Sequence, residues 1–153
     1  MALSEPDVTA FLKTFVSTYE KGDASFFDLF AGDASVFSVS VPTRIDGAEE
    51  YRRGYEEQFQ GKNRRAQILS PEIRIAGDVA VVTYHNRVAL DNQSTNLRST
   101  LVLSRVGKDL KIVHLHNSPL ASPGVSATPR RPEDVTLLEE RVATAAAAVG
   151  TPK

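Results

Sequence analysis

The chain contains no cysteine, which excludes a disulfide scaffold, a cysteine-bound metal and thiol chemistry. Charge of one sign is lacking too. Its 18 Lys and Arg stand against 19 Asp and Glu, a net charge of −1. Such a balance gives no electrostatic reason to expect nucleic acid or an anionic membrane as a partner. No apolar run approaches the roughly 20 residues that a bilayer-spanning helix needs. The opening MALSEPDVTA has neither the charged nor the apolar region of a signal peptide. The expectation from these absences is a cytoplasmic protein with no membrane contact.

What is present is ordinary for a globular fold. The 153 residues are 41% hydrophobic and 24% charged, enough for one domain with its own core. Ser4 and Asp7 have capping-box spacing, and Pro6 suits a first helical turn. Val8, Phe11, Leu12, Phe15, Val16 and Tyr19 then recur at helical period, and Gly22 ends the helix. The tetrapeptide GDAS follows twice, ten residues apart. That unit is too short for a repeat architecture, so each copy reads as turn punctuation. Phe26, Phe27, Leu29 and Phe30 predict a short buried helix, and 34–40 a strand. Asp46 with Glu49 repeats the capping spacing and predicts a helix over 48–59. Its apolar side is Ala48, Tyr51, Tyr55 and Phe59, with Arg52–Glu56 and Arg53–Glu57 as pairs at i, i+4.

From residue 64 the period changes to two. Four long strands are expected, the first interrupted at Ser70-Pro71, because proline cannot donate to a ladder. Short turns at Gly77-Asp78, Asp91-Asn92-Gln93 and Gly107-Lys108-Asp109 imply an antiparallel meander. Helices gathered before a sheet argue for an α+β fold. Residues 119–131, rich in Pro, Ser and Ala, read as a linker. Pro132, Glu133 and Asp134 then suit a helix start, and Val135, Leu138, Val142, Ala145 and Val149 form a narrow stripe. The expected organisation is a domain over 1–118, the linker, and a helical extension over 132–153.

The segments YEKGDASFFDLFAGDASVF, RIDGAEEYRRGYEE, AGDVAVVTYHNRVAL and RSTLVLSRVGKDLKIVHLHNS run in an order that carries a resemblance. The chain resembles the SnoaL-like branch of the nuclear transport factor 2-like superfamily. It is similar to the association domain of calcium/calmodulin-dependent protein kinase II over about residues 8–118. Leu110 stands where that group often has tryptophan. The resemblance implies a cystatin-like, cone-shaped, curved antiparallel sheet with three helices on its concave side and a pocket inside. It also implies a homodimer through the outer sheet face, stacked into rings in the kinase type. Other members are cyclases and isomerases that transfer protons on polycyclic substrates, so the fold leaves function open.

The remaining question is what the chemistry-bearing side chains do. His114 and His116, two residues apart in a strand, share one face. His85 is the only other histidine, and no strand after Glu72 carries an acid except at its turns. Metal binding is therefore not expected, nor any other cofactor. With the histidines facing outward, the cavity receives Val113, Leu115 and Asn117, joined by Leu101 and Leu103 if register permits. The resemblance places Arg52, and Asn86 or Arg87, near pocket positions that are basic in the kinase group, while Leu101 and Asn117 replace two of its arginines. Tyr55 and Tyr84 are candidates to turn a hydroxyl inward, as are Tyr19 and Tyr51. An isomerase mechanism needs a carboxylate base in the cavity, and Asp28 and Asp33 read as helix end and turn. The expected site is thus a mainly apolar binding pocket for a small organic molecule, formed by Arg52, Tyr55, Tyr84, Asn86, Arg87, Leu101, Leu115 and Asn117, with no catalytic residue. The alternatives are an isomerase, cyclase or dehydratase using the same pocket, and an assembly module of the kinase association type.

Overall fold

In the computed structural model, Ser4 fixes the start of the first helix. Its side chain accepts from the Asp7 N–H, and the Asp7 carboxylate accepts from the Ser4 N–H at 3.0 Å. Helix α1 spans Glu5–Lys21 and ends at Gly22, which is left-handed at φ 67°. The structure describes residues 2–59 and 62–120. The expected linker beyond residue 120 and the terminal helix lie outside the described residues.

After α1, Asp23 accepts from the Ser25 N–H at 2.9 Å and starts a 3-10 helix over Ala24–Leu29. Strand β1 (Phe30–Phe37) and the two-residue β2 (Ile45–Asp46) precede α2 (Ala48–Phe59). The long strands are β3 (Arg64–Ala76), β4 (Val79–Leu90), β5 (Gln93–Val106) and β6 (Asp109–Pro119). They form one six-stranded sheet in the order β2-β1-β6-β5-β4-β3. The expected meander of β3 to β6 is present, with every pair antiparallel. The pairing of β1 with β6 is parallel, which makes the sheet mixed at that edge.

Bulges bend this sheet. Ser70 sits at φ 50° where the β3–β4 register shifts between Leu69 and Glu72, so the Ser70-Pro71 interruption is a bulge within one strand. A second shift lies between Val102 and Leu103 on the β5–β6 pair, where Val113 is the extra residue. An extra residue reverses which side chains face inward. Ile112, at 0% exposure, therefore takes the inward place that simple alternation gives Val113, which is only partly buried.

Several local readings need correction. The second GDAS is not a turn: Gly32–Ser35 lie inside β1, where the register against β6 shifts between Phe30 and Ser35. The strand runs over Phe30–Phe37 rather than 34–40, and Phe30 belongs to it rather than to the preceding helix. The start of α2 is made by Gly47 at φ 98°, whose carbonyl accepts from Tyr51 N–H. The carboxylate reaching back to the Asp46 N–H is that of Glu50, at 2.9 Å, not Glu49. Asp46 is held in β2, opposite Ser35. At the other end of the sheet, β6 includes Pro119, and Leu120 donates to the Asn96 carbonyl, so pairing continues past residue 118.

The three helices cover the concave face. Phe26, 2% exposed, is the hub of their packing. Its ring centre lies 5.4 Å from Phe15 of α1, 5.0 Å from Phe59 of α2 and 5.5 Å from Phe30 of β1. Ala80, Val82, Leu101, Leu103 and Ile112 are fully buried and fill one end of the cone with packed hydrocarbon.

Candidate functional site

The other end of the cone is hollow. A cavity of about 290 Å³ opens between the C-terminal halves of α1 and α2, the start of β3, the β4–β5 hairpin and the end of β6. Phe15, Tyr19, Phe26, Tyr51 and Phe59 give it aromatic walls, and Val88, Leu90 and Leu97 an aliphatic floor. Among the described residues, no Asp, Glu or His lines it.

Four of the residues singled out from sequence stand on this wall: Tyr55, Asn86, Leu115 and Asn117. The Tyr55 hydroxyl lies 2.5 Å from both Ser38 Oγ and Ser40 Oγ, so one phenol ties the segment after β1 to α2. Asn117 accepts at 2.7 Å from the Ser99 hydroxyl, which fixes its amide. Asn86 is 7% exposed, and its Oδ1 has no hydrogen-bond partner among the described residues.

The other four lie elsewhere. Arg52 sits on the outside of α2, where it pairs with Asp28 at 2.8 Å rather than with Glu56, its guanidinium 5.9 Å from the Phe27 ring centre. Arg87 falls in phase with the outward residues of β4 and donates to Ser94 Oγ at 3.1 Å. Leu101 is part of the packed end, as is Leu103, because the register sets them opposite Val82 and Ala80. Tyr84 faces inward but is only 4% exposed and packs in the core. Burial pushes its phenol well above the usual range, opposed in part by the nearby Ser99 side chain. Tyr51 is raised for the same first reason, burial, with neighbouring tyrosines adding to it.

Arg64 is the cavity residue that the sequence reading missed. It begins β3 in phase with Ala66 and Ile68, both turned toward the helices, and is 6% exposed. Its guanidinium carbon lies 4.0 Å from the Phe59 ring centre and 5.5 Å from that of Tyr19. Nη2 donates to the Gln58 carbonyl. Nε has no hydrogen-bond partner among the described residues. Burial raises the Tyr19 phenol pKa, and the charge of Arg64 opposes that rise. The signal that could have found Arg64 is its phase: a cation two and four residues before inward apolar positions must itself point inward.

The two strand histidines face away from the cavity. His114 pairs across with Ser35, whose Oγ lies 2.7 Å from Nδ1, and His116 lies opposite Phe37. Their rings are 6.5 Å apart, with the Phe37 ring 5.7 Å from one and 5.2 Å from the other. Burial, then the neighbouring His116 charge, lowers the pKa of His114. Among the described residues, no three His, Cys, Asp or Glu side chains gather as metal ligands would. Nor is any described helix long and apolar enough to cross a membrane.

A bent sheet capped by three helices is shared with solved structures. A nuclear transport factor 2-like protein of unknown function from Pseudomonas putida matches at TM-score 0.70 and 18% identity, over 83% of this chain and 94% of that one. The association domain of C. elegans CaMKII matches at 0.64 and 20%, over 74% and 94%. A candidate dehydratase of the same fold family from Streptomyces avermitilis matches at 0.67 and 19%, over 75% and 95%. Among curated proteins none matches in sequence. The SnoaL-like domain family matches residues 8–122, the stretch that builds both the helical cover and every strand of the sheet, and the chain belongs to that family.

Proposed function

We propose that this chain is a dimeric binding domain that holds a small, mainly apolar organic molecule in the open end of its cone. The observation that carries this reading is the lining of the cavity: aromatic and aliphatic walls, a few amides and hydroxyls, one guanidinium and, among the described residues, no carboxylate or imidazole. Small-molecule sites have this make-up, apolar surface with a few polar groups to orient the ligand. Proton transfer on carbon needs a general base in contact with substrate, and this wall offers none among the described residues. Tyr55, Asn86, Leu115 and Asn117 are the contacts assigned to the ligand.

The test is a thermal-shift panel of small cyclic alcohols, ketones and acids on the wild type and on Ala66→Phe, which fills the cavity from β3. Binding predicts compounds that raise the melting temperature of the wild type and leave the variant unmoved. A panel without effect on the wild type contradicts the reading.

Self-association through the outer face of the sheet has its own support. Val81, 36% exposed, pairs with Val102, which pairs with His114, and Phe37 at 38% continues the apolar strip toward β1. A strip of that kind is the feature that subunit contacts cover. The likeness to kinase association domains favours assembly as well. Light scattering at micromolar concentration should give twice the chain mass. A monomer contradicts the dimer, and a much larger particle supports the ring-forming reading instead.

A further inference from the structure

We infer that the ligand of the cone cavity carries an anionic oxygen group on an apolar body, and that Arg64 receives it. This rests on the binding reading above and names the chemistry of the ligand.

The argument starts from an uncompensated charge. Arg64 is 6% exposed, and a buried cation is costly unless paired and hydrogen-bonded. Its contacts among the described residues are neutral: the Gln58 carbonyl, the face of Phe59 and the ring of Tyr19. Among the described residues no carboxylate lies within ion-pair distance of it, although Arg44, Arg52, Arg74 and Arg105 each have one. Arginine presents five donors in a planar fork that matches an oxyanion. One donor is used on Gln58, and the buried Nε is idle.

A purely architectural role accounts for only part of this. By holding the Gln58 carbonyl, Arg64 satisfies an acceptor at the end of α2, and cations suit helix C-termini. That role uses one donor and does not need the guanidinium on a cavity wall. The rest of the cavity supplies what an amphipathic anion needs. Aromatic walls stand beside Arg64, while Asn86 lies four residues along β4 from Leu90, the partner of Arg64 in the ladder. That separation is about 13 Å of strand. A molecule with its oxyanion at Arg64 and a hydrocarbon body along the floor would place any second polar group toward Asn86 and Asn117.

Calorimetry with benzoate and its neutral counterpart benzyl alcohol tests this. In the wild type, benzoate should bind about tenfold tighter or more, the scale of a charge-assisted hydrogen bond. Arg64→Met should erase that preference and Arg64→Lys should keep part of it. Equal affinity of the two probes for the wild type overturns the inference, as does a benzoate preference that survives in Arg64→Met. Either result leaves the binding reading standing. Failure of both probes on the wild type also overturns the anion assignment, while the binding reading is judged by its own thermal-shift panel. If Arg64→Met does not fold, the wild-type comparison and Arg64→Lys decide the matter.

Discussion

Gly22 and Phe59 join the ends of the two main helices. A Cβ on Gly22 would stand 2.6 Å from the Phe59 carbonyl oxygen and 3.3 Å from Arg64 Nε. Gly22 also holds φ 67°, where an L side chain is strained. The two effects act together, since the backbone angle and the close approach both require that position to be bare.

Gly22→Ala should therefore destabilise the fold by about 2 kcal/mol or more, from the left-handed backbone and the contact with Phe59 combined. Urea unfolding measures this. A loss below about 0.5 kcal/mol would mean that the helix ends are not held as described.

Leu101 and Arg52 separate architecture from binding. Leu101→Ala should cost about 2 to 5 kcal/mol, since it empties a fully buried place in the packed end, and should leave ligand affinity nearly unchanged in protein that remains folded. Arg52→Ala removes a half-exposed pair with Asp28, and exposed pairs contribute about 1 kcal/mol or less. Its effect on both stability and affinity should be small. A large loss of affinity in either variant would move the site.

Acid should weaken the fold in two windows. His114 titrates below its ordinary 6.5 when folded, chiefly through burial. The unfolded chain then binds more protons as pH falls, so stability is full above about 6.5, declines below it, and levels off under the folded value. Asp7 is also lowered, chiefly by its hydrogen bonds from Ser4. Its contribution is present above about pH 3.8 and is lost as pH falls through the lowered value. Urea midpoints from pH 7.5 to 5 should fall, and His114→Asn should flatten that part of the curve. An unchanged slope in the variant would assign the effect to other groups.

Removing the Tyr55 hydroxyl should loosen the rim of the cavity. Tyr55→Phe loses contacts at 2.5 Å to Ser38 and Ser40, at a cost of about 1 kcal/mol. Amide exchange in residues 38–40 should quicken while that of β4 stays the same. Equal protection in the variant would show that the hydroxyl cluster does not hold this segment.

The elements legible in the sequence are those whose determinants are local. Ser4 and Asp7 start α1, Gly22 ends it, and Ser70-Pro71 marks the bulge in β3. That His114 and His116 share one face was legible from strand alternation, whereas which face it is depends on the pairing of β6 with β1 and β5. What escaped depends on partners distant in the chain. The second GDAS becomes strand because β6 pairs alongside it. Ile112 replaces Val113 inside because of a bulge that the apolar run HLH does not reveal. Arg64 looked like any charged residue at a strand end. Only the closure of α1 and α2 over it makes it a buried cavity residue.

The most direct measurement is a methyl NMR titration of the wild type with benzoate. The account predicts saturable shifts at Leu90, Leu97 and Leu115 on the cavity wall, with Leu101 and Leu103 in the packed end and Val81 on the outer face unmoved. Shifts confined to Val81 and Val102, or none on the cavity wall at saturating benzoate, would contradict it.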